Sequence, residues 1–174
     1  LARAARDKGL RVVGHAPLPS MIALVSDSGF GSIEHGTIAI RNGRLVDGFS
    51  ILPDSERIEL FRRFARNGTA WDPTLVSAKT RFIPDRAIAR IIDDSAGRTD
   101  STLRYVSATL RQTWRAAQAL ASVSESHDWR ELYRDNLRDV RAMTDAGMVV
   151  LAGTDLAVTA LVPGFSLHDE LALL

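Results

Sequence analysis

Short apolar runs alternate with helix-length segments along this chain, and that alternation restricts the possible folds more than any other feature. Four runs have the length and composition of strands, and they cover residues 10–16, 31–36, 69–76 and 148–152. The segments between them carry apolar residues at helical spacing. Strands that alternate with helices usually pair as parallel neighbours. The sequence therefore predicts an α/β protein with a parallel sheet.

Local signals place the helices between these strands. Residues 2–8 are helical in pattern, with Gly9 as the stop. Ser20 is expected to cap a helix over residues 21–27, and a helix that begins at Asp54 or Ser55 is expected to end at Asn67 and Gly68. Most of the segment 84–146 is predicted to be helical, and the segment 41–50 to be a polar loop. The near-continuous apolar run 148–152 predicts a strand that is buried on both faces.

Composition excludes several classes of protein. The chain has 174 residues, with 22 basic and 21 acidic side chains and a net charge of +1, which gives no electrostatic reason to expect a nucleic-acid partner. We expect the basic residues to lie on solvated faces. No apolar run approaches the roughly 18 residues that span a bilayer, so no membrane partner is expected. Cysteine is absent, which excludes a disulfide, a cysteine zinc site and a thiol nucleophile.

Three of the four predicted strands end in a side chain that can bind a metal ion. These residues are His15, His35 and Asp155. In parallel α/β folds the carboxyl ends of the strands face a shared crevice, and imidazole and carboxylate are suitable donors for zinc or a similar divalent ion. Taken one at a time, a histidine beside a strand is more often structural and an aspartate after a strand often caps a helix. Together the three residues make a metal site a candidate and leave metal-independent acid/base chemistry open.

The same stretches resemble a known enzyme family. The matching segments are Val13-Gly14-His15-Ala16, Ser32-Ile33-Glu34-His35-Gly36, Pro73-Thr74-Leu75-Val76, Leu151-Ala152-Gly153-Thr154-Asp155, and Pro163-Gly164 with His168-Asp169-Glu170 close behind. In order and spacing they resemble the metal-dependent amidohydrolase superfamily, in its imidazolonepropionase-like and prolidase-like branch. The resemblance extends from residue 2 to residue 174.

The resemblance implies a partial TIM (β/α)8 barrel. His15 would end strand five, His35 strand six and Asp155 strand eight, with Thr74 near the end of strand seven and an extra helical insertion before strand eight. Residues 1–174 would then be a fragment of one catalytic barrel domain that is truncated at both ends. The histidine pair and the lysine that this family carries on strands one and four have no counterpart in the chain.

The resemblance also implies an activity, which is hydrolysis of amide, cyclic amide or dipeptide C–N bonds by metal-activated water. His15, His35 and Asp155 would bind one or two divalent ions, with zinc expected. Asp155 and His35 would be catalytic, and His168 would contact a small-molecule amide or dipeptide substrate. The fragment alone is expected to be inactive.

Other features remain open at this stage. A cytoplasmic location is favoured, although the chain begins at Leu1 and a signal peptide cannot be judged; a homo-oligomer is also left open. Glu34 is expected to face away from His35, because adjacent strand residues point to opposite sides. Glu170 could lie at the pocket mouth or act on a helix dipole. The alternatives to a metal-dependent hydrolase are a non-catalytic half-barrel and a metal-independent lyase or isomerase.

Overall fold

The computed structural model describes residues 1–35, 38–41, 44–121 and 129–174. They form two compact units. The first consists of Leu1–Pro73 and Glu131–Ala152, and the second of Thr74–Arg130 and Gly153–Leu174. None of the described helices is both long enough and apolar enough to cross a membrane.

The first unit contains a parallel sheet at its centre. The described strands are β1 (Val12–Gly14), β2 (Phe30–Glu34), β3 (Ile38–Arg41), β4 (Arg44–Asp47) and β5 (Ala70–Asp72). β1, β2 and β5 pair in that order, all parallel. Trp71 forms a further parallel bridge with Val150, which places the 148–152 run beside β5. Three of the four predicted runs thus contain strands of one parallel sheet in chain order, and the fourth joins it only through the bridge at Val150. The described residues are α/β.

The described α-helices are α1 (Ala2–Arg6), α2 (Ile22–Asp27), α3 (Asp54–Asn67), α4 (Leu75–Thr80), α5 (Asp85–Asp93), α6 (Ala108–Ala121), α7 (Trp129–Asp145) and α8 (Phe165–Leu173). Short 3-10 turns cover Pro19–Met21, Gly48–Ile51 and Ser101–Tyr105. The predicted helix over 84–146 is thus divided among three helices and one of these turns.

Several local predictions agree with the structure because they depend on glycine. Gly9 and Gly68 follow α1 and α3 with φ of 69° and 66°, and Gly147 follows α7 with φ of 80°. Gly68 is the left-handed C-cap of α3. Glycine adopts this backbone region without the steric cost that a Cβ atom imposes, so it ends helices at a defined residue.

Three local predictions are wrong. In the segment 41–50 the described residues are not a loop, because β3 and β4 pair as antiparallel strands and Gly48–Ile51 is a 3-10 turn; residues 42 and 43 lie outside the described residues. Leu75 and Val76 do not continue the third strand but begin α4. α2 begins at Ile22 with Met21 at the N-cap position, so Ser20 is not its cap.

Aromatic packing forms the core of the first unit. Phe49 makes edge-to-face contacts with Phe61, Phe64 and Trp71, at ring-centroid distances of 5.3, 6.4 and 5.5 Å. All four side chains are buried. Edge-to-face pairs add about 0.5–1.5 kcal/mol each beyond the burial of their area. Phe49 lies in the segment predicted to be a polar loop, and it connects α3 with the sheet.

The run at residues 148–152 is less buried than the sequence predicts. Val149 is 61% exposed and Leu151 is 38% exposed. On β1, Val13 is also 61% exposed. The strand register aligns Val13 with Ser32 and Ser32 with Ala70. Because Trp71 bridges to Val150 in parallel, the residues before them, Ala70 and Val149, are aligned as well. One face of the sheet therefore has exposed valines at both ends of a cross-strand row.

A second apolar core lies in the second unit. Its buried members are Ile88, Ile92, Leu103, Val106, Trp114 and Val162. Beside it the Arg111 guanidinium, only 5% exposed, donates to the carbonyl oxygens of Ile91, Ile92, Asp94 and Leu103. In the first unit Arg57 is also buried and lies 3.2 Å from an Asp139 oxygen. The prediction that the basic residues lie on solvated faces is wrong for these two arginines.

Candidate functional site

Two histidines meet where neighbouring parallel strands end. His15 follows β1 and His35 follows β2. Their ring centroids are 4.4 Å apart, and the ring planes are inclined at 45°. His15 is exposed and His35 is half-buried. The pairing of β1 with β2 brings together two residues that are 20 positions apart in the sequence, and it leaves them accessible to a ligand.

The backbone at His35 is held in an unusual conformation. Its φ of 33° lies in the left-handed region. Its N–H donates to the carbonyl of Asp72 at 2.7 Å, which attaches it to the end of β5. A non-glycine residue in the left-handed region costs about 1–2 kcal/mol and persists where surrounding contacts fix it. The imidazole of His35 is therefore presented from a fixed backbone position.

Two other strand-end residues show the same backbone feature. Thr74 has φ of 47° and Asp155 has φ of 53°. Thr74 is buried and occupies the N-cap position of α4. The two remaining non-glycine residues with positive φ in the described ranges, Ala157 and Ala160, lie in the loop that follows Asp155. Strained backbone of this kind concentrates at functional sites, and here it coincides with three positions that the sequence singles out.

Carboxylates accompany the histidine pair at the same strand ends. Glu34 and Asp72 are register partners on β2 and β5. The Ser32 hydroxyl donates to Oε1 of Glu34 at 2.5 Å, so Glu34 lies on the same face of β2 as Ser32. The alternation that predicts opposite directions for Glu34 and His35 stops at Glu34, because His35 leaves the strand conformation.

Asp155 lies in the second unit and is exposed. Its carbonyl accepts the N–H of Val158 at 3.2 Å, so a tight turn fixes its backbone. Within the described ranges, no three His, Asp or Glu side chains form a group that could hold a metal ion. The structure therefore brings together His15 and His35, and the place of Asp155 in the same site stays a prediction.

His168 and Glu170 have different environments on α8. His168 is exposed, so its predicted substrate contact stays a prediction. Glu170 is fully buried, and its two carboxylate oxygens accept the N–H groups of Leu75 and Val76 at 3.0 and 2.7 Å. These N–H groups belong to the first turn of α4, where backbone donors have no acceptor within the helix. Glu170 therefore lies within α8, not in its first turn as the sequence suggests, and its carboxylate caps the N-terminus of α4.

Sequence reasoning missed Asp72. Its carbonyl holds the backbone of His35, and its carboxylate lies beside Glu34 in the register. The signal was available, since Asp72 ends a predicted strand directly before Pro73. Because the apolar run 69–76 continues past Pro73, the sequence predicts that the strand ends at Val76 and not at Asp72.

The donor set at the histidine pair fits a divalent metal ion in chemical type. Two imidazoles with close centroids offer nitrogen donors of the kind that zinc prefers, at Zn–N distances of about 2.0–2.1 Å. A tetrahedral site needs further donors. Glu34 and Asp72 carry carboxylates at the ends of the neighbouring strands β2 and β5, but in the described ranges they do not complete a three-donor group with the histidines.

Comparison with known proteins gives one informative similarity. No protein-family model and no curated protein matches the sequence. Among solved structures, the chain is similar to a bottromycin amidohydrolase, with 26% sequence identity and a TM-score of 0.58. The match covers 99% of this chain and 38% of that one. The structural neighbour is thus an amidohydrolase-type enzyme, and this chain spans well under half of its length.

Proposed function

We propose that this chain carries part of the active site of a metal-dependent hydrolase that cleaves C–N bonds in amides, cyclic amides or dipeptides. The observation that carries the proposal is the contact between His15 and His35, whose ring centroids lie 4.4 Å apart at adjacent strand ends. The similarity to an amidohydrolase over 99% of the chain supports it. The imidazolonepropionase-like or prolidase-like branch is part of the proposal and comes from the sequence motifs.

The proposed fold is part of a (β/α)8 barrel. The parallel strands are neighbours in chain order, as barrel strands are, and the candidate ligands follow their carboxyl ends. The exposed Val13 and Val149 lie on one face of the sheet, where a closed barrel would bury apolar side chains. The three parallel strands and the bridged run 148–152 would supply half of such a barrel, so catalysis would need the remaining strands.

Each candidate residue has a separate role in this proposal. His15 and His35 donate ring nitrogens to a divalent ion, with zinc proposed. Asp155 accepts a proton from the attacking water and returns it to the leaving nitrogen, which is general acid–base catalysis. In a one-metal arrangement, His35 assists the water or the substrate instead. A bound divalent ion would lower the pKa of the attacking water and polarise the carbonyl oxygen of the substrate.

Activity of the protein expressed from its full open reading frame tests the proposal. His15→Ala and Asp155→Asn are expected to abolish hydrolysis of an amide and dipeptide panel, and His15→Ala to lower the zinc content. The matched control is His168→Ala, an exposed histidine on α8, which should retain zinc. Full hydrolysis and full metal content in both site variants would contradict the proposal. A hydrolase that works without metal would favour the acid/base alternative.

A further inference from the structure

A cavity opens between α2, α3 and the 3-10 turn Gly48–Ile51, all of which belong to the first unit. Its volume is about 470 Å³, which lies within the usual range for a small-molecule site. The residues that line it all lie in the part of the chain that the structure describes, and none of them belongs to the histidine pair. We call this space the helix cavity.

Aliphatic side chains make up much of the lining of the helix cavity. Ile22 and Ala23 come from α2, Ile51 and Leu52 from the end of the 3-10 turn, and Leu60 from α3. Ile22 is buried, whereas Ile51 is 38% exposed, so part of this apolar lining is in contact with water. An aliphatic ligand that enters the cavity removes apolar surface from water on both sides, and the gain grows with each buried CH2 group. The lining therefore favours an aliphatic chain.

Three charged side chains from one face of α3 also line the helix cavity. They are Glu56, Glu59 and Arg63, which are spaced by three and four residues. Arg63 donates to both carboxylate oxygens of Asp27, and Glu59 pairs with Arg66 at 2.9 Å. Within the described ranges, no basic side chain pairs with Glu56. This exposed carboxylate is therefore the charge of the lining that those ranges leave uncompensated.

The charge of Glu56 indicates which head group the helix cavity would select. An ammonium group beside it would form an ion pair, whereas a carboxylate group would be repelled by Glu56 and Glu59. Arg63 offsets this repulsion little, because both oxygens of Asp27 already bind it. An exposed ion pair contributes little affinity by itself. The apolar lining would therefore supply most of the affinity, and Glu56 would supply the preference between charges.

We propose that the helix cavity binds an aliphatic primary amine. The alkyl chain packs against Ile22, Ala23 and Leu60, and the ammonium group lies at Glu56. This binding site is separate from the histidine pair, and the inference does not depend on the proposed hydrolase function.

Titrations with four simple probes test the inference by binding alone. Hexylammonium has the chain and the positive charge, 1-hexanol has the chain without a charge, hexanoate has the opposite charge, and butylammonium has a shorter chain. The measurement is an NMR titration, at low salt, of the methyl-labelled protein expressed from its full open reading frame. We expect hexylammonium to shift the methyl signals of Ile22, Ile51 and Leu60 to saturation.

The order of affinities follows from the two parts of the helix cavity. Hexylammonium should bind about three- to fifteenfold more tightly than butylammonium, because two further CH2 groups are buried. It should bind about two- to fivefold more tightly than 1-hexanol, the range expected for one exposed ion pair. Hexanoate should bind most weakly of the three six-carbon probes.

Matched variants separate recognition of the amine from folding. Glu56→Gln keeps the side-chain shape at an exposed position and should remove the preference for hexylammonium over 1-hexanol. Asp7→Asn, at an exposed carboxylate outside the cavity, is its control and should keep that preference. Ala23→Leu fills part of the cavity and should weaken binding of hexylammonium at least about fivefold, whereas Ala4→Leu, at an exposed alanine of α1, should not.

Three results would overturn the inference. They are equal binding of hexylammonium and hexanoate, a charge preference that survives Glu56→Gln, and unchanged binding in an Ala23→Leu protein with the thermal stability of the parent. If Ala23→Leu does not fold, the exposed Glu56→Gln variant still decides the question. Neither zinc binding nor hydrolysis enters these measurements, so the failure of this inference and the failure of the proposed function are distinguishable.

Discussion

Arg111 shows how one polar side chain can organise a small core. Its guanidinium satisfies the carbonyls of Ile91 and Ile92 at the end of α5, that of Asp94 just beyond it and that of Leu103 in the following 3-10 turn. A buried charge is stable only when its hydrogen bonds are made. The carbonyls of Ile91 and Ile92 lie in the last turn of α5, where helix carbonyls lack intrahelical partners, whereas those of Asp94 and Leu103 also accept the N–H groups of Gly97 and Val106. One residue therefore connects two elements beside the apolar core.

Replacing Arg111 should destabilise the second unit. Arg111→Met keeps much of the side-chain volume but removes the side-chain donor from the buried carbonyls of Ile91 and Ile92, so the free energy of unfolding should fall by about 2–4 kcal/mol. The measurement is urea denaturation followed by circular dichroism. The matched control on the same helix is Arg115→Met, which removes an exposed ion pair with Asp93 and should cost less than about 1 kcal/mol. Equal losses for the two variants would contradict this account.

Asp94 provides a pH-dependent contact near the same turn. Hydrogen bonds from the Thr99 hydroxyl and from the N–H groups of Thr99 and Arg98 hold the pKa of this carboxyl well below its ordinary value. Because the folded-state pKa is lowered, the contribution to stability is complete above the unfolded value of about 3.9. It is lost as the pH falls through the folded value.

An NMR titration of the Asp94 carboxyl measures this directly. We expect its pKa to lie below that of an unfolded peptide, and Thr99→Ala to raise it, because the hydroxyl donor is the largest cause of the shift. Thr102→Ala is the control, since that hydroxyl bonds to Asp100 instead. A normal pKa for Asp94, or no rise in Thr99→Ala, would show that these hydrogen bonds are absent in solution.

At the scale of elements, α8 and α4 are joined through Glu170. Its buried carboxylate accepts two N–H groups from the first turn of α4. Thr74, at the N-cap position, has a left-handed backbone, and its own side chain makes no capping hydrogen bond. A carboxylate at a helix N-terminus is favoured by the hydrogen bonds and by the helix dipole. The pair fixes α4 relative to α8 inside the second unit.

Removing the charge at Glu170 should therefore weaken this junction. Glu170→Gln keeps the shape but replaces one acceptor oxygen with a donor, and we expect a loss of about 1.5–3 kcal/mol in the free energy of unfolding. Hydrogen exchange at the Leu75 and Val76 amides should accelerate in the variant. Asp169→Asn, at the exposed neighbouring residue, is the control and should stay within about 0.5 kcal/mol. Unchanged exchange at both amides would refute the capping role.

The element scale also shows which features sequence reasoning can predict. The parallel strands and glycine helix ends were predictable, because apolar periodicity and positive φ are local properties. The sequence analysis does not predict the antiparallel pairing of β3 and β4, in which Arg41 aligns with Arg44. Asn42-Gly43 is a strong hairpin signal in the sequence. These two residues lie outside the described residues. The burial of Arg111 and Glu170 depends on partners that are distant in the chain, and the local sequence does not specify them.

At the scale of the whole molecule, the site at the two histidines was also predictable only in part. The sequence predicts that His15 and His35 follow strands, and the pairing of β1 with β2 brings their rings together. The positive φ of His35 and its bond to Asp72 could not be predicted, because they depend on how β5 pairs with β2. The metal, the roles of Asp155 and His168, and the complete barrel are proposals that build on this contact.

Zinc titration of the protein with isotope-labelled histidines tests the central claim most directly. The account predicts that the ring signals of His15 and His35 shift together as zinc is added, before any change at His168. It also predicts that His15→Gln or His35→Gln weakens binding by at least about tenfold, whereas His168→Gln leaves it unchanged. If zinc shifted all the histidines alike, or left His15 and His35 unchanged, the pair would not be a metal site.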